Sequence, residues 1–469
     1  MPPGEFRHGE RALLVLMASA LVCMLLSIVF GAFGALYYIP DLATAMAERG
    51  VSLVQLRPLH TTFASAWIFL GAVTCVLSFL YRDSGEPSDG DRRRFRVQMT
   101  CWGVAGLGVV VTLPLGITTG REYLGFHPAI SVLIVAGWLL FAWTFFRRVA
   151  RGFWQRPVYV YMWAVGILYF LWTFTEGHAW LLQGVRERPV ADLQIQWKSC
   201  GTLVASFNQM VYGSLIYIAE RRSGDSRPAH SKAAFSLLGL GLLNSFTNYA
   251  HHTYHLPQSH VIKWVAFVVS MLEVIILVEV FREVTASLAR RRGLYEGSPT
   301  VTERFFTLSK RWNLCLLSLA ILISVPPLNA LIHGTHVVMG HAMGSELAID
   351  SYILLGVFAA LLTDIFPKRE VGEDCIHGPV VQRAIGWLNL ALAGLVLLLV
   401  ARGLATGVTR FLGQPEPEWV GSFPLLFAGL GLAVGWNLVR LLLHWAPLFT
   451  RPRDHKAWRD DTRASPHSA

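Results

Sequence analysis

Polar and apolar positions fall along this chain in long blocks. Apolar runs of about 20 residues or more, the length that crosses a bilayer as a helix, occur at 12–39, 59–82, 98–119, 127–146, 158–184, 196–220, 232–255, 260–282, 310–331, 335–366, 380–407 and 421–447. Short segments rich in Arg, Asp, Gly and Pro separate them. The pattern predicts an all-α polytopic membrane protein with about twelve transmembrane helices. The first run is too long, and too closely followed by others, for a cleaved signal peptide, and it lacks a small-residue cleavage site. No repeat or low-complexity tract interrupts the series. Residues 1–451 therefore read as one integral-membrane domain, and 452–469 as a polar, disordered cytoplasmic tail.

Composition agrees. The chain of 469 residues is 54% hydrophobic and 15% charged, with mean hydropathy +0.46, whereas soluble domains carry about 25% charged residues. A net charge of +10 would suit a nucleic-acid binder, but its placement gives another account. With the N-terminus inside, the inner segments hold 30 of the 40 Lys and Arg, including RDSGEPSDGDRRRFR (82–96) and RRVARGFWQR (147–156). That is the positive-inside bias of a membrane protein. The reading is a bacterial-type inner membrane with both termini cytoplasmic, lipid as the surrounding partner and no nucleic acid. The six cysteines form no CxxC or CxxCH, so the chain encodes no disulfide framework, zinc knuckle or covalently attached haem.

The histidines are not scattered. On this orientation ten of the 16 lie on the outer side: His60, His127, His178, His251, His252, His255, His260, His333, His336 and His341. Imidazole inside an apolar helix is costly unless it is paired, faces water or binds something. Neutral imidazole is also a common ligand of haem iron and other transition metals. The adjacent pair His251-His252, with single histidines entering from the second and tenth spans, points to metal centres within a helix bundle. His251 and His255 share one helix face while His252 points about 100° away. The adjacent pair is therefore the expected ligand set, with His255 outside it.

These residues resemble a known family. RPLHTTFASAWIF (57–69), GREYLGFHP (120–128), YAHHTYH (249–255), SMLEVIIL (270–277) and HGTHVVMGHAMG (333–344) resemble the catalytic subunit of the haem–copper oxidase superfamily. Within it, the large subunit of bacterial nitric oxide reductase is the most similar branch. The resemblance implies two b-type haems: a low-spin haem on His60, and a high-spin haem on His341. It implies a second metal on His251 and His252, iron in nitric oxide reductases and copper in oxygen reductases. Glu273 matches an acidic residue beside the active site. Glu122 matches a glutamate near a calcium and haem-propionate region; an ion pair with Arg121 is the alternative.

Two positions depart from the pattern. The tenth span normally carries His-x-His, one ligand for each haem, and here reads His341-Ala342-Met343. The resemblance then implies Met343 in place of the second histidine, and His/Met ligation is sound haem chemistry; ordinary apolar packing of Met343 is the alternative. The sixth span normally gives the non-haem metal a third histidine, where this chain has Cys200. Completion falls to Cys200 as thiolate or, preferred here, to Glu176 and His178 at the end of the fifth span.

What the resemblance implies for function is reduction of nitric oxide to nitrous oxide. Electrons would come from a cytochrome c-bearing small subunit or a soluble cytochrome c, and protons through Glu273 or Glu176. The alternatives are an oxygen-reducing terminal oxidase, which needs a tyrosine at the position of Val204 or a substitute such as Tyr249 or Tyr254, and a non-catalytic haem-binding paralogue.

Overall fold

The computed structural model describes residues 7–247, 249–254, 256–295, 299–366 and 372–450, and every regular element among them is helical. The expected tail, 452–469, lies outside the described residues. Twelve long helices follow in chain order: α1 His8–Leu36, α2 Leu53–Asp83, α3 Asp89–Thr112, α4 Pro128–Val149, α5 Val158–Glu176, α6 Pro189–Ser223, α7 Lys232–Thr247, α8 His260–Tyr295, α9 Val301–Ser324, α10 His336–Ile365, α11 Pro379–Leu412 and α12 Phe423–Thr450. Each overlaps one of the twelve apolar runs. In hydrocarbon every backbone N–H and C=O must find its partner within the segment, and helices meet that condition. Ten of the helical spans among the described residues are long and apolar enough to cross a membrane. The others are α6, interrupted by Lys198, Asn208 and Gln209, and α7, only 16 residues long.

Local chemistry sets the ends where hydropathy does not. Helix α3 starts well before its apolar run because Ser88 caps it: Ser88 Oγ accepts the Asp91 N–H at 3.2 Å, and the Asp91 carboxylate accepts the Ser88 N–H at 3.1 Å. Such a cap contributes about 1 kcal/mol. Helix α9 starts in the same way at Thr300 and Glu303. It stops at Ser324, before Pro326 and Pro327, and a separate short helix, Pro326–Ile332, follows. The single span expected at 310–331 is therefore two elements, since proline cannot continue the hydrogen-bond ladder.

Helix α10 runs through the centre of the bundle. Of its most apolar 18-residue stretch 89% is buried, against 17% for α3 at the periphery. Around it α1 packs on α2, α5 on α6, α7 on α8 and α11 on α12. The α5–α6 contact is close because Gly166 faces Ser206: a Cβ there would lie 2.7 Å from the Ser206 carbonyl oxygen. Small residues allow this approach between membrane helices. Helix α10 is not uniform. It is α-helical over His336–Met343, π-helical over Gly344–Ser351 and α-helical again from Tyr352.

Candidate active site

His60 lies in the second turn of α2. Its Nδ1–H donates to the Ser27 carbonyl of α1 at 2.8 Å, and Ser27 Oγ lies 3.2 Å from the same nitrogen. Gly31, one turn along α1, makes room for the ring: a Cβ there would sit 2.7 Å from Nδ1. The imidazole is thus fixed through Nδ1, which leaves Nε2 as its ligating nitrogen. A carbonyl on one ring nitrogen is the usual support of a metal-bound histidine.

His341 and Met343 lie two residues apart in the α-helical part of α10, so their side chains leave the helix about 200° apart. They face different sides of α10, as ligands of two separate centres must. His341 Nδ1 is buried without a hydrogen-bond partner, a costly arrangement for an imidazole that serves no polar or metal site.

The second metal's expected ligands sit just beyond α7, on a short helix Tyr249–His252. The His252 ring stacks on Trp197 of α6, centroids 5.4 Å apart and planes at 7°. It lies within electrostatic range of His341 and His333. The side chain of His251 and the whole of His255 lie outside the described residues. Among the described residues no three His, Cys, Asp or Glu side chains converge on a metal site.

The candidates for completing that site are engaged elsewhere. Both carboxylate oxygens of Glu176 accept from Lys198 Nζ at 2.8 Å. His178 uses both ring nitrogens, Nε2 with Ser131 Oγ at 2.8 Å and Nδ1 with the Phe174 carbonyl at 2.6 Å. The Glu176 carboxylate thus faces Lys198 and the His178 ring faces Ser131 and the Phe174 carbonyl, and among the described residues neither belongs to a cluster of three possible ligands. Cys200 is buried with its Sγ 3.7 Å from the Glu122 carbonyl oxygen. Glu122 pairs with Arg57 at 2.7 Å, not with Arg121, whose guanidinium is taken by Asp192 at 2.7 Å. His127 is the N-cap of α4, its Nδ1 accepting the Ala129 N–H.

Glu273, half-buried on α8, accepts from Asn244 Nδ2 of α7, and Asn244 Oδ1 accepts from Ser270 Oγ at 2.8 Å. Gln209 of α6 reaches the same spot beside Gly241. Several polar residues of this interior escaped the sequence reading. Tyr123, in the loop after α3, donates its hydroxyl to Glu346 Oε1 at 3.1 Å. Trp197 supports His252, which His333, one of the outer histidines already singled out, approaches. The only sequence signal for Glu346 was a carboxyl in mid-span, where carboxyls are rare.

Residues 11–416 match the family model of cytochrome c and quinol oxidase polypeptide I. The chain belongs to that family. Its members are membrane respiratory oxidoreductases that bind haems and a metal in a binuclear centre. No curated protein sequence matches the chain. Among solved structures, a haem–copper terminal oxidase dimer determined by cryo-electron microscopy is similar at TM-score 0.75 and 12% identity. The match covers 96% of this chain and 85% of that one, and at that identity it shows the fold alone. The family's haems fit the residues present: His60 offers an imidazole held through Nδ1 with Nε2 left over, and the orphaned His341 nitrogen is of the kind such a centre employs. The donor set described for the second metal is His252 alone.

Proposed function

We propose that this chain is the catalytic subunit of a membrane nitric oxide reductase that joins two NO molecules, with two electrons and two protons, into N2O and water. The observation that carries the reading is the chemistry of α6 and the His252 loop. Val204 stands where the resemblance places the tyrosine of an oxygen reductase. Tyr254, a possible substitute, spends its hydroxyl on the Ser324 carbonyl at 2.8 Å. In this reading His60 with Met343 holds a low-spin b-type haem, His341 a high-spin one, and His251 with His252 a non-haem iron. When bound, these groups supply electrons and two adjacent sites for NO, and proximity favours the N–N bond.

The chain's own residues do the rest. Ser27 and Gly31 fix the His60 ring, and Trp197 fixes the plane of His252. Lys198 holds Glu176, which leaves Glu273, set by Asn244, as the carboxyl that passes protons. Glu122 acts as the partner of Arg57, which orients the loop. Electrons arrive from a cytochrome c-type partner, and the basic loops face the cytoplasm. A second reading, oxygen reduction, draws on Tyr212, buried on α6 within electrostatic range of Asp350 and Glu273.

Metal and haem analysis of the purified protein tests the assignment. About two haems and one further iron per chain is the expected result. One copper in place of that iron turns the reading to oxygen, and absence of haem removes both.

A further inference from the structure

Helix α10 carries two carboxyls in its π-helical stretch, Glu346 and Asp350. At about 1.5 Å per residue they lie roughly 15 and 21 Å from the start of the helix, inside a hydrocarbon layer about 30 Å thick. Asp350 is buried, and its Oδ1 has no hydrogen-bond partner. Among the described residues no Lys, Arg or His forms an ion pair with either carboxyl; the charged groups that bear on them are each other and Glu122. They stand one helical turn apart, where side chains are neighbours. The turn is built rather than accidental: Ser351 Oγ donates to the Glu346 carbonyl at 2.8 Å and accepts from Trp67 Nε1 at 2.9 Å. π-Helical turns inside α-helices frequently mark functional sites.

Two carboxylates without a counter-ion cannot both stay ionised in a medium of low dielectric. At least one must keep its proton. The only hydrogen bond to the pair's carboxyl oxygens among the described residues comes from Tyr123. That residue is the one non-glycine held at positive φ, 58°, among the described residues, a strained conformation for a bulky side chain. The strain sends a tyrosine from the loop that also carries Glu122 and Arg121 down onto the membrane-buried Glu346. On the other side, Asp350 lies within electrostatic range of Tyr212, and Tyr212 within range of Glu273.

We propose that Glu346 and Asp350 form a proton-holding carboxyl pair in the centre of α10, loaded and unloaded through the Tyr123 hydroxyl from the side of the membrane that carries the histidines. A hydronium ion on the outer side gives its proton to Tyr123 Oη, leaving water, as the tyrosine's own proton passes to the Glu346 carboxylate. Glu346 in its acid form leaves Asp350, one helical turn on, as the pair's remaining carboxylate, so the pair holds one proton and no redox partner is needed. The inference rests on the reductase reading only for what consumes the proton next.

The test reads protonation directly and needs no substrate. Infrared spectra of the full-length protein in lipid at neutral pH are expected to show a protonated carboxyl band that is lost or shifted in both Asp350→Asn and Glu346→Gln. In D2O that band is expected to exchange about ten-fold more slowly in Tyr123→Phe, the scale of one lost hydrogen bond to a charged group. Tyr123→Phe keeps the ring and its packing, so the result survives should a carboxyl variant fold poorly. An unchanged exchange rate in Tyr123→Phe overturns the route. Absence of the protonated band, with a bound cation found by metal analysis, overturns the pair as a proton site. Either result is independent of whether the protein consumes NO.

Discussion

The haem reading depends most on His60 and Met343. Gly31→Ala places a methyl against the His60 ring at a position now 2.7 Å from Nδ1. The expected outcome is a folded protein with the low-spin haem lost or displaced, measured as the haem-to-protein ratio. Met343→Leu is expected to remove the six-coordinate low-spin spectrum, and Met343→His to keep it at a lower potential, because imidazole favours ferric iron more than thioether does. An unchanged spectrum in Met343→Leu contradicts the assignment. The ion pair of Glu176 and the two hydrogen bonds of His178 give a further expectation: Glu176→Gln and His178→Gln lower thermal stability but leave the metal content unchanged. At this scale the sequence was partly legible. His60, His252 and His341 stand out because imidazole is rare in apolar helices. What Glu176 and His178 touch did not show, because Lys198 and Ser131 lie 22 and 47 residues away and no local pattern announces such partners.

Elements were legible as apolar blocks and less so at their ends. Hydropathy sees the lipid-facing length of a helix and is blind to its polar turns, so α2 begins at Leu53 rather than near 59, and α3 at Asp89 rather than near 98. The prolines at 326 and 327, where α9 breaks, are available in the sequence, but the apolar run 310–331 reads through them as one span. The π-helical stretch in α10 had no signal in the apolar pattern, and the contact at its end, Trp67 with Ser351, spans 284 residues. The turn between α6 and α7 carries a pH expectation outside the membrane. There Arg227 and Arg290 hydrogen-bond to Asp225 and hold its carboxyl well below the usual range. A depressed carboxyl stabilises the fold above its unfolded value, about 4, and that contribution is lost as pH falls through the folded value. Asp225→Asn is therefore expected to melt earlier than the parent at neutral pH and to converge with it in acid. A difference that persists in acid contradicts the ion-pair account.

For the whole molecule, helix order and count followed from the series of apolar runs, and the family match over residues 11–416 agrees with them. The branch did not follow, because it turns on a few side chains, Val204, Cys200 and Met343, within a common bundle. The most direct measurement is anaerobic turnover of the purified, haem-loaded protein with a reduced cytochrome c-type donor and NO, followed by quantifying N2O. The account predicts one N2O for every two NO consumed, with slower oxygen consumption under the same donor. Oxygen reduced rapidly to water with no N2O formed contradicts it.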